Sequence, residues 1–280
     1  MISNPLRVSV HGGHSGQFCS HAEDTLEDII REYIRHGYAW VGITEHMPPE
    51  KDELSYPEEA EAQLSAVDQQ FRFAEYIATC RRLQDKYASK IRIIVGFEAE
   101  AYPGYEDWVP EVRRQFEPDY IVGSVHHING QLIDSTPEAY HVAAKIAGGL
   151  DELYCAYFDQ QYDLIRKVSP EVIGHFDLIR IFDSDYHNRL VKPQVWQRIL
   201  RNLKIIQERK LIMDFNLAAL KKGQSEPYIS NALLDQVQKM GISVVPGDDS
   251  HSVQNINQYW DLGVAILQQK SFNLAWRCPA

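Results

Sequence analysis

Cysteine is scarce in this chain. The four residues, Cys19, Cys80, Cys155 and Cys278, lie far apart among 280, with no CxxC pair. That spacing argues for reduced thiols rather than a disulfide framework. Long apolar runs are missing too: no stretch of about eighteen apolar residues occurs, so no membrane span is expected. Met1 to Arg7 lacks the basic start and apolar stretch of a secretory leader, so a cytoplasmic location is expected. Positive charge is in deficit, with 28 Lys and Arg against 39 Asp and Glu, for a net charge of −11. Without a basic face to neutralise phosphates, a nucleic-acid partner is not expected. The same deficit counts against an anionic substrate, unless the site brings its own positive charge. Repeats, low-complexity segments and linkers are absent, and so are the GxSxG, GxGxxG and GxxxxGK[ST] motifs. A single domain over residues 1–280 is expected, as a monomer or small homo-oligomer.

What is present is alternation. Short β-branched runs read as strands at Leu6–Val10, Trp40–Thr44, Ile91–Gly96, Tyr120–Val125, Val172–Gly174, Leu211–Phe215 and Ser243–Pro246. Amphipathic stretches between them read as helices at Thr25–His36, about Pro57 to Tyr87, Asp107–Phe116, Gln194–Arg209, Tyr228–Met240 and Ile256–Gln268. Pro137 to Lys167 reads as two helices broken at Gly148–Gly149. Seven strands alternating with helices predict a parallel sheet, closed or open. In such folds functional groups gather at the carboxyl ends of the strands, where the loops converge.

The histidines obey that rule. His11, His14 and His21 follow strand one; His46 follows strand two; Glu98 and Glu100 end strand three. His126 and His127 follow strand four, His175 strand five, and Asp248, Asp249 and His251 strand seven. Any one histidine at a strand end is more often a hydrogen-bonded loop residue than a ligand. Six strand ends bearing such groups on one side make a shared metal centre the better reading. Imidazole and carboxylate suit zinc, manganese or iron. The donors are too many for one ion and fit two or three sharing a bridging carboxylate. Clustered cations would also answer the charge objection, giving an acidic protein a positive pocket for phosphate and a hydrolytic water. His36, at a helix C-terminus, His141 on a helix and His187 in a polar loop read as ordinary surface residues. His127 is set apart because strand geometry points it away from His126.

Val10-His11-Gly12-Gly13-His14, Glu45-His46, Gly96-Phe97-Glu98, Gly123-Ser124-Val125-His126, Gly174-His175 and Gly247-Asp248-Asp249-Ser250-His251 together resemble the successive motifs of the polymerase and histidinol phosphatase (PHP) superfamily. The resemblance spans nearly the whole chain. It implies a distorted, TIM-barrel-like (β/α)7 barrel with up to three divalent metals. Carried over by motif, His11, His14, Glu98 and Asp249 would hold one ion, and Glu98 would bridge to a second held by His126 and His175. His21, His46 and His251 would hold a third. The resemblance makes a metal-bridging hydroxide the nucleophile, with no further catalytic side chain assigned.

Within the superfamily, Phe18-Cys19-Ser20-His21, Glu45-His46-Met47-Pro48, His175-Phe176-Asp177-Leu178-Ile179-Arg180 and Asp214-Phe215-Asn216 resemble the stand-alone histidinol-phosphate phosphatases. That branch implies Arg180 and Lys221 as binders of the substrate phosphate, and a small phosphorylated substrate. There are two departures. Two glycines separate His11 from His14 where the family usually has one residue, so the backbone must bulge. Lys221 stands where arginine is commoner. Three other readings stay open: a PHP phosphoesterase for another small phosphate, a non-catalytic PHP scaffold, and an amidohydrolase-type barrel. The last would want a lysine where Ser124-Val125-His126-His127 stands. Gly104–Trp108 and Asn129–Ile133 are expected to shape the leaving-group side.

Overall fold

The computed structural model describes residues 5–280. Residues 1–4, on which part of the leader reading rests, lie outside them. The strands are β1 (Arg7–Ser9), β2 (Tyr38–Ile43), β3 (Arg92–Glu100), β4 (Tyr120–Ser124), β5 (His127–Ile128), β6 (Gln131–Leu132), β7 (Val172–Ile173), β8 (Ile212–Asn216) and β9 (Ser243–Gly247). All but β5 and β6 pair in parallel, in the order β1-β2-β3-β4-β7-β8-β9. The Val10 amide donates to the Pro246 carbonyl at 2.9 Å, so the last strand returns beside the first. The result is the expected seven-stranded barrel, nearly closed. The antiparallel β5–β6 hairpin, which lies in segments read only as loop, is too short to show a period of two.

Eleven α-helices complete the fold among the described residues. They are α1 (Leu26–Arg35), α2 (Pro57–Glu61), α3 (Ala66–Tyr87), α4 (Tyr105–Phe116), α5 (Pro137–Ala147), α6 (Leu150–Val168), α7 (Tyr186–Leu190), α8 (Pro193–Glu208), α9 (Ala218–Lys221), α10 (Asn231–Lys239) and α11 (Trp260–Gln269). Thr25 and Ser65 start their helices by accepting from the amides of Asp28 and Asp68. The Ser65–Asp68 capping box also explains why the stretch from Pro57 to Tyr87 is two helices and not one.

Two apolar clusters hold these layers. The larger lies between strands and helices. The smaller, with Val8, Val10, Ile94, Tyr120, Val122, Val172, Ile212 and Val245, fills the barrel. Tyr120 is its bulkiest fully buried member, and two glycines make room for it. A Cβ on Gly42 would sit 1.8 Å from the Tyr120 hydroxyl, and one on Gly96 2.5 Å from its ring. That hydroxyl donates to the Val10 carbonyl at 2.7 Å, anchoring the backbone just before His11.

The same inward-facing rows continue toward the carboxyl ends with a period of two. Ile94 leads to Glu98 and Glu100, Val122 to Ser124 and His126, Ile212 to Asp214 and Asn216, and Val245 to Gly247 and Asp249. An apolar plug thus gives way to a polar floor along each strand.

Candidate metal centre

Glu98 occupies the middle of that floor, fully buried. Its Oε1 lies 3.0 Å from His175 Nε2 and 3.6 Å from both His11 Nε2 and His126 Nε2. Its Oε2 lies 3.1 Å from His46 Nδ1. One carboxylate therefore meets four imidazoles delivered by four different strand ends. Asp249, beyond β9, faces a second set: its Oδ1 is 3.3 Å from His14 Nε2, 3.8 Å from His251 Nδ1 and 3.9 Å from His11 Nε2.

Three groups have ligand atoms within 4.8 Å of one another in patterns close to the expected sites: His11, His14 and Asp249; His11, Glu98 and His175; and His21, His46 and His251. His126 joins the second through His175, their Nε2 atoms 3.1 Å apart. The widened spacing of His11 and His14 still brings both onto Asp249. Gly12 and Gly13 serve close approach there rather than unusual dihedrals: Cβ atoms would fall 2.1 Å from the Gly42 carbonyl and 2.5 Å from Ile29.

The donors fit divalent cations. His11 Nε2 and both ring nitrogens of His14 and of His46 are buried without a hydrogen-bond partner among the described residues. A buried polar atom left so costs about 1–3 kcal/mol unless something fills the space between donors. Burial would raise the Glu98 carboxyl, but the charges of His11 and His126 reverse this and hold it well below the carboxylate range. Burial likewise raises Asp249 and is overcome by His11 and His14, leaving it well below normal. Burial and the neighbouring His46 push His21 down to about 3, and burial with His14 pushes His251 well down. Ionised carboxylates and neutral imidazoles are the forms that bind metals; against the pull of burial, the neighbouring acids raise His11, His14, His46 and His126, so a bound cation would displace protons from these four rings.

A supporting ring orients these groups. Asp214 Oδ2 lies 3.0 Å from His11 Nδ1 and accepts from the Asn216 amide nitrogen at 2.9 Å. A carboxylate can only accept, so Nδ1 carries the proton and Nε2 faces the centre. Glu45 Oε2 lies 3.5 Å from His14 Nδ1, while its Oε1 accepts from the Ser15 amide and hydroxyl at 2.8 Å each. The Tyr56 hydroxyl donates to Glu100 Oε2 at 2.6 Å, and Glu100 Oε1 is 3.0 Å from His46 Nδ1. Sequence reading missed Asp214, Glu45 and Tyr56 as parts of the site. Asp214 follows Ile212 on the inward row of β8 and could have been found by strand alternation; Glu45, on the outward row of β2, and Tyr56 carry no such mark.

Above the floor opens a cleft of about 300 Å³, lined by His21, His46, Glu98, His126, His175, Asp249 and His251, with Glu58, Asp134, Lys221, Lys222 and Tyr228 among the rest. Leu132 lines it as well, as expected for Asn129–Ile133, but no residue of Gly104–Trp108 does. Burial lowers the Lys221 ammonium against the pull of Asp249. His127 stands at the edge, its Nδ1 3.8 Å from Glu100.

Arg180 stands apart from the cleft lining. It is fully buried. Its Nη2 donates to the Glu226 and Pro227 carbonyls at 2.8 Å each and its Nη1 to Gln224 Oε1 at 3.1 Å. The Tyr186 and Tyr228 rings lie 4.9 and 4.5 Å from its guanidinium carbon. Both terminal nitrogens thus donate to the segment that carries Tyr228, and Nε lies 3.3 Å from Asp177 Oδ2.

Comparison with known proteins agrees with this layout. The sequence model of the PHP domain matches residues 12–218. A Schizosaccharomyces pombe protein named "Probable histidinol-phosphatase" is 36% identical over 94% of this chain and 87% of its own length. The Saccharomyces cerevisiae histidinol-phosphatase is 25% identical over 90% of this chain and 85% of its own. A Lactococcus lactis histidinol phosphate phosphatase, crystallised with zinc, L-histidinol and phosphate, superposes with a TM-score of 0.71 at 17% identity, covering 95% and 94% of the two chains.

Proposed function

The chain belongs to the PHP domain family, and from that premise we propose that it is a metal-dependent phosphomonoesterase that cleaves L-histidinol phosphate to L-histidinol and phosphate, a step of histidine biosynthesis. The observation that carries this reading is Glu98 meeting four histidines on the floor of an open cleft whose wall holds lysines. The names of the relatives supply the substrate.

Two or three divalent ions, zinc foremost and manganese or iron as alternatives, would sit among His11, His14, His21, His46, Glu98, His126, His175, Asp249 and His251. Bound there, they supply Lewis acidity, ionising a water near neutral pH and offsetting charge on the phosphoryl oxygens. The chain's own residues do the remainder. Lys221 offers the phosphate a point charge at the cleft wall. Glu58 and Asp134, in the same lining, suit the ammonium of an amino-alcohol phosphate. Asp214 keeps the His11 ring turned toward the centre. Among the described residues no helix is long and apolar enough to cross a membrane, and the four free cysteines suit a reducing cytoplasm.

The test is phosphate release by the zinc-loaded protein from histidinol phosphate and from a panel of nucleotide and sugar monophosphates. The expected result is a kcat/KM for histidinol phosphate well above every other ester. Preferential turnover of another ester would reject the substrate while leaving the phosphatase reading intact.

A further inference from the structure

The thiol of Cys19 has no part in the chemistry above, yet it is buried against the histidine cluster. Its Sγ lies 3.3 Å from His21 Nε2. The Sγ and one ring nitrogen each from His14 and His46 all lie within 4.8 Å of one another. His14 is fully buried, and both nitrogens of each of these two rings lack a hydrogen-bond partner among the described residues. A turn fixes the thiol there: the Cys19 amide donates to the Ser15 carbonyl at 2.9 Å, and the Ala22 amide to the Cys19 carbonyl at 3.3 Å. Cys80, Cys155 and Cys278 join no metal-sized group among the described residues.

We infer that Cys19 supplies a sulfur donor to the ion held by His46, making that position prefer a soft cation such as zinc to manganese. This rests on the metal-centre reading given above. Coordination replaces the S–H bond with a sulfur–metal bond, and the proton leaves to water. Thiolate with imidazole is a zinc-type donor set, whereas manganese favours oxygen. His46 is common to the Cys19 group and to the His21–His251 group, so a single ion there can take sulfur without a separate site.

Cobalt(II) spectroscopy on the full-length, cobalt-loaded protein tests this. The expected result is a sulfur-to-cobalt charge-transfer band in the near ultraviolet, beside the visible bands of histidine-bound cobalt. Cys19→Ser abolishes the former and keeps the latter, while Cys155→Ser and Cys278→Ser keep both. In dialysis against equal zinc and manganese, Cys19→Ser also loses zinc relative to manganese. Visible bands without the charge-transfer band in the wild type, which needs no variant to fold, overturn the role of Cys19 and leave the histidine centre standing. Failure to take up any cobalt overturns both.

Discussion

Asp214 Oδ2 and His11 Nδ1 stand 3.0 Å apart, both fully buried, and this pair sets which nitrogen of His11 faces the other ligands. Replacing the carboxylate by an amide weakens the acceptor and frees the ring to take the other tautomer. Asp214→Asn should therefore lower metal affinity by about 10–100-fold with little change in fold. Metal titration followed by calorimetry checks this. Unchanged affinity would mean that the carboxylate does not orient the ring.

Arg180 and Lys221 should separate cleanly. Removing Arg180 leaves the Glu226 and Pro227 carbonyls and the Asp177 carboxylate without their cation. Breaking such a buried ionic arrangement costs about 3–5 kcal/mol, so Arg180→Met should unfold at markedly lower denaturant. Lys221→Ala touches only the cleft wall and should leave the midpoint unchanged. Its expected effect is a KM raised roughly tenfold or more, since hydrogen bonds to charged groups are worth about 1.5–3 kcal/mol. Urea melts and steady-state kinetics on both variants decide the matter.

The barrel plug makes a third prediction. Gly42→Ala forces a methyl to within 1.8 Å of the Tyr120 hydroxyl, an overpacking that costs about 1–3 kcal/mol. Tyr120→Phe removes the clashing oxygen, so the double variant should be more stable than the sum of the singles implies. A double-mutant cycle by denaturant unfolding measures this coupling. Strict additivity would show that the clash is relieved elsewhere.

Much of this molecule is legible from local pattern. The strands were, because parallel strands buried on both faces read as β-branched runs such as Ile93-Ile94-Val95. The candidate ligands' convergence was, because a parallel barrel puts every strand's carboxyl end on one side. What escaped notice depends on distant contacts. Arg180 reads as a phosphate binder from its motif alone, and its burial escapes notice because its acceptors lie more than forty residues away. Tyr56 reaches Glu100 from a segment with no strand or motif to announce it. Cys19 reads as a spectator because spacing alone does not show that a thiol and three imidazoles converge.

The centre itself is tested most directly at Glu98, the carboxylate that four histidines share. The measurement is phosphate release from histidinol phosphate by zinc-reconstituted wild type and Glu98→Gln, with bound zinc counted in the same samples. Loss of at least one equivalent of zinc together with nearly all turnover is the predicted result. A Glu98→Gln protein that keeps its full metal content and wild-type turnover would contradict the account.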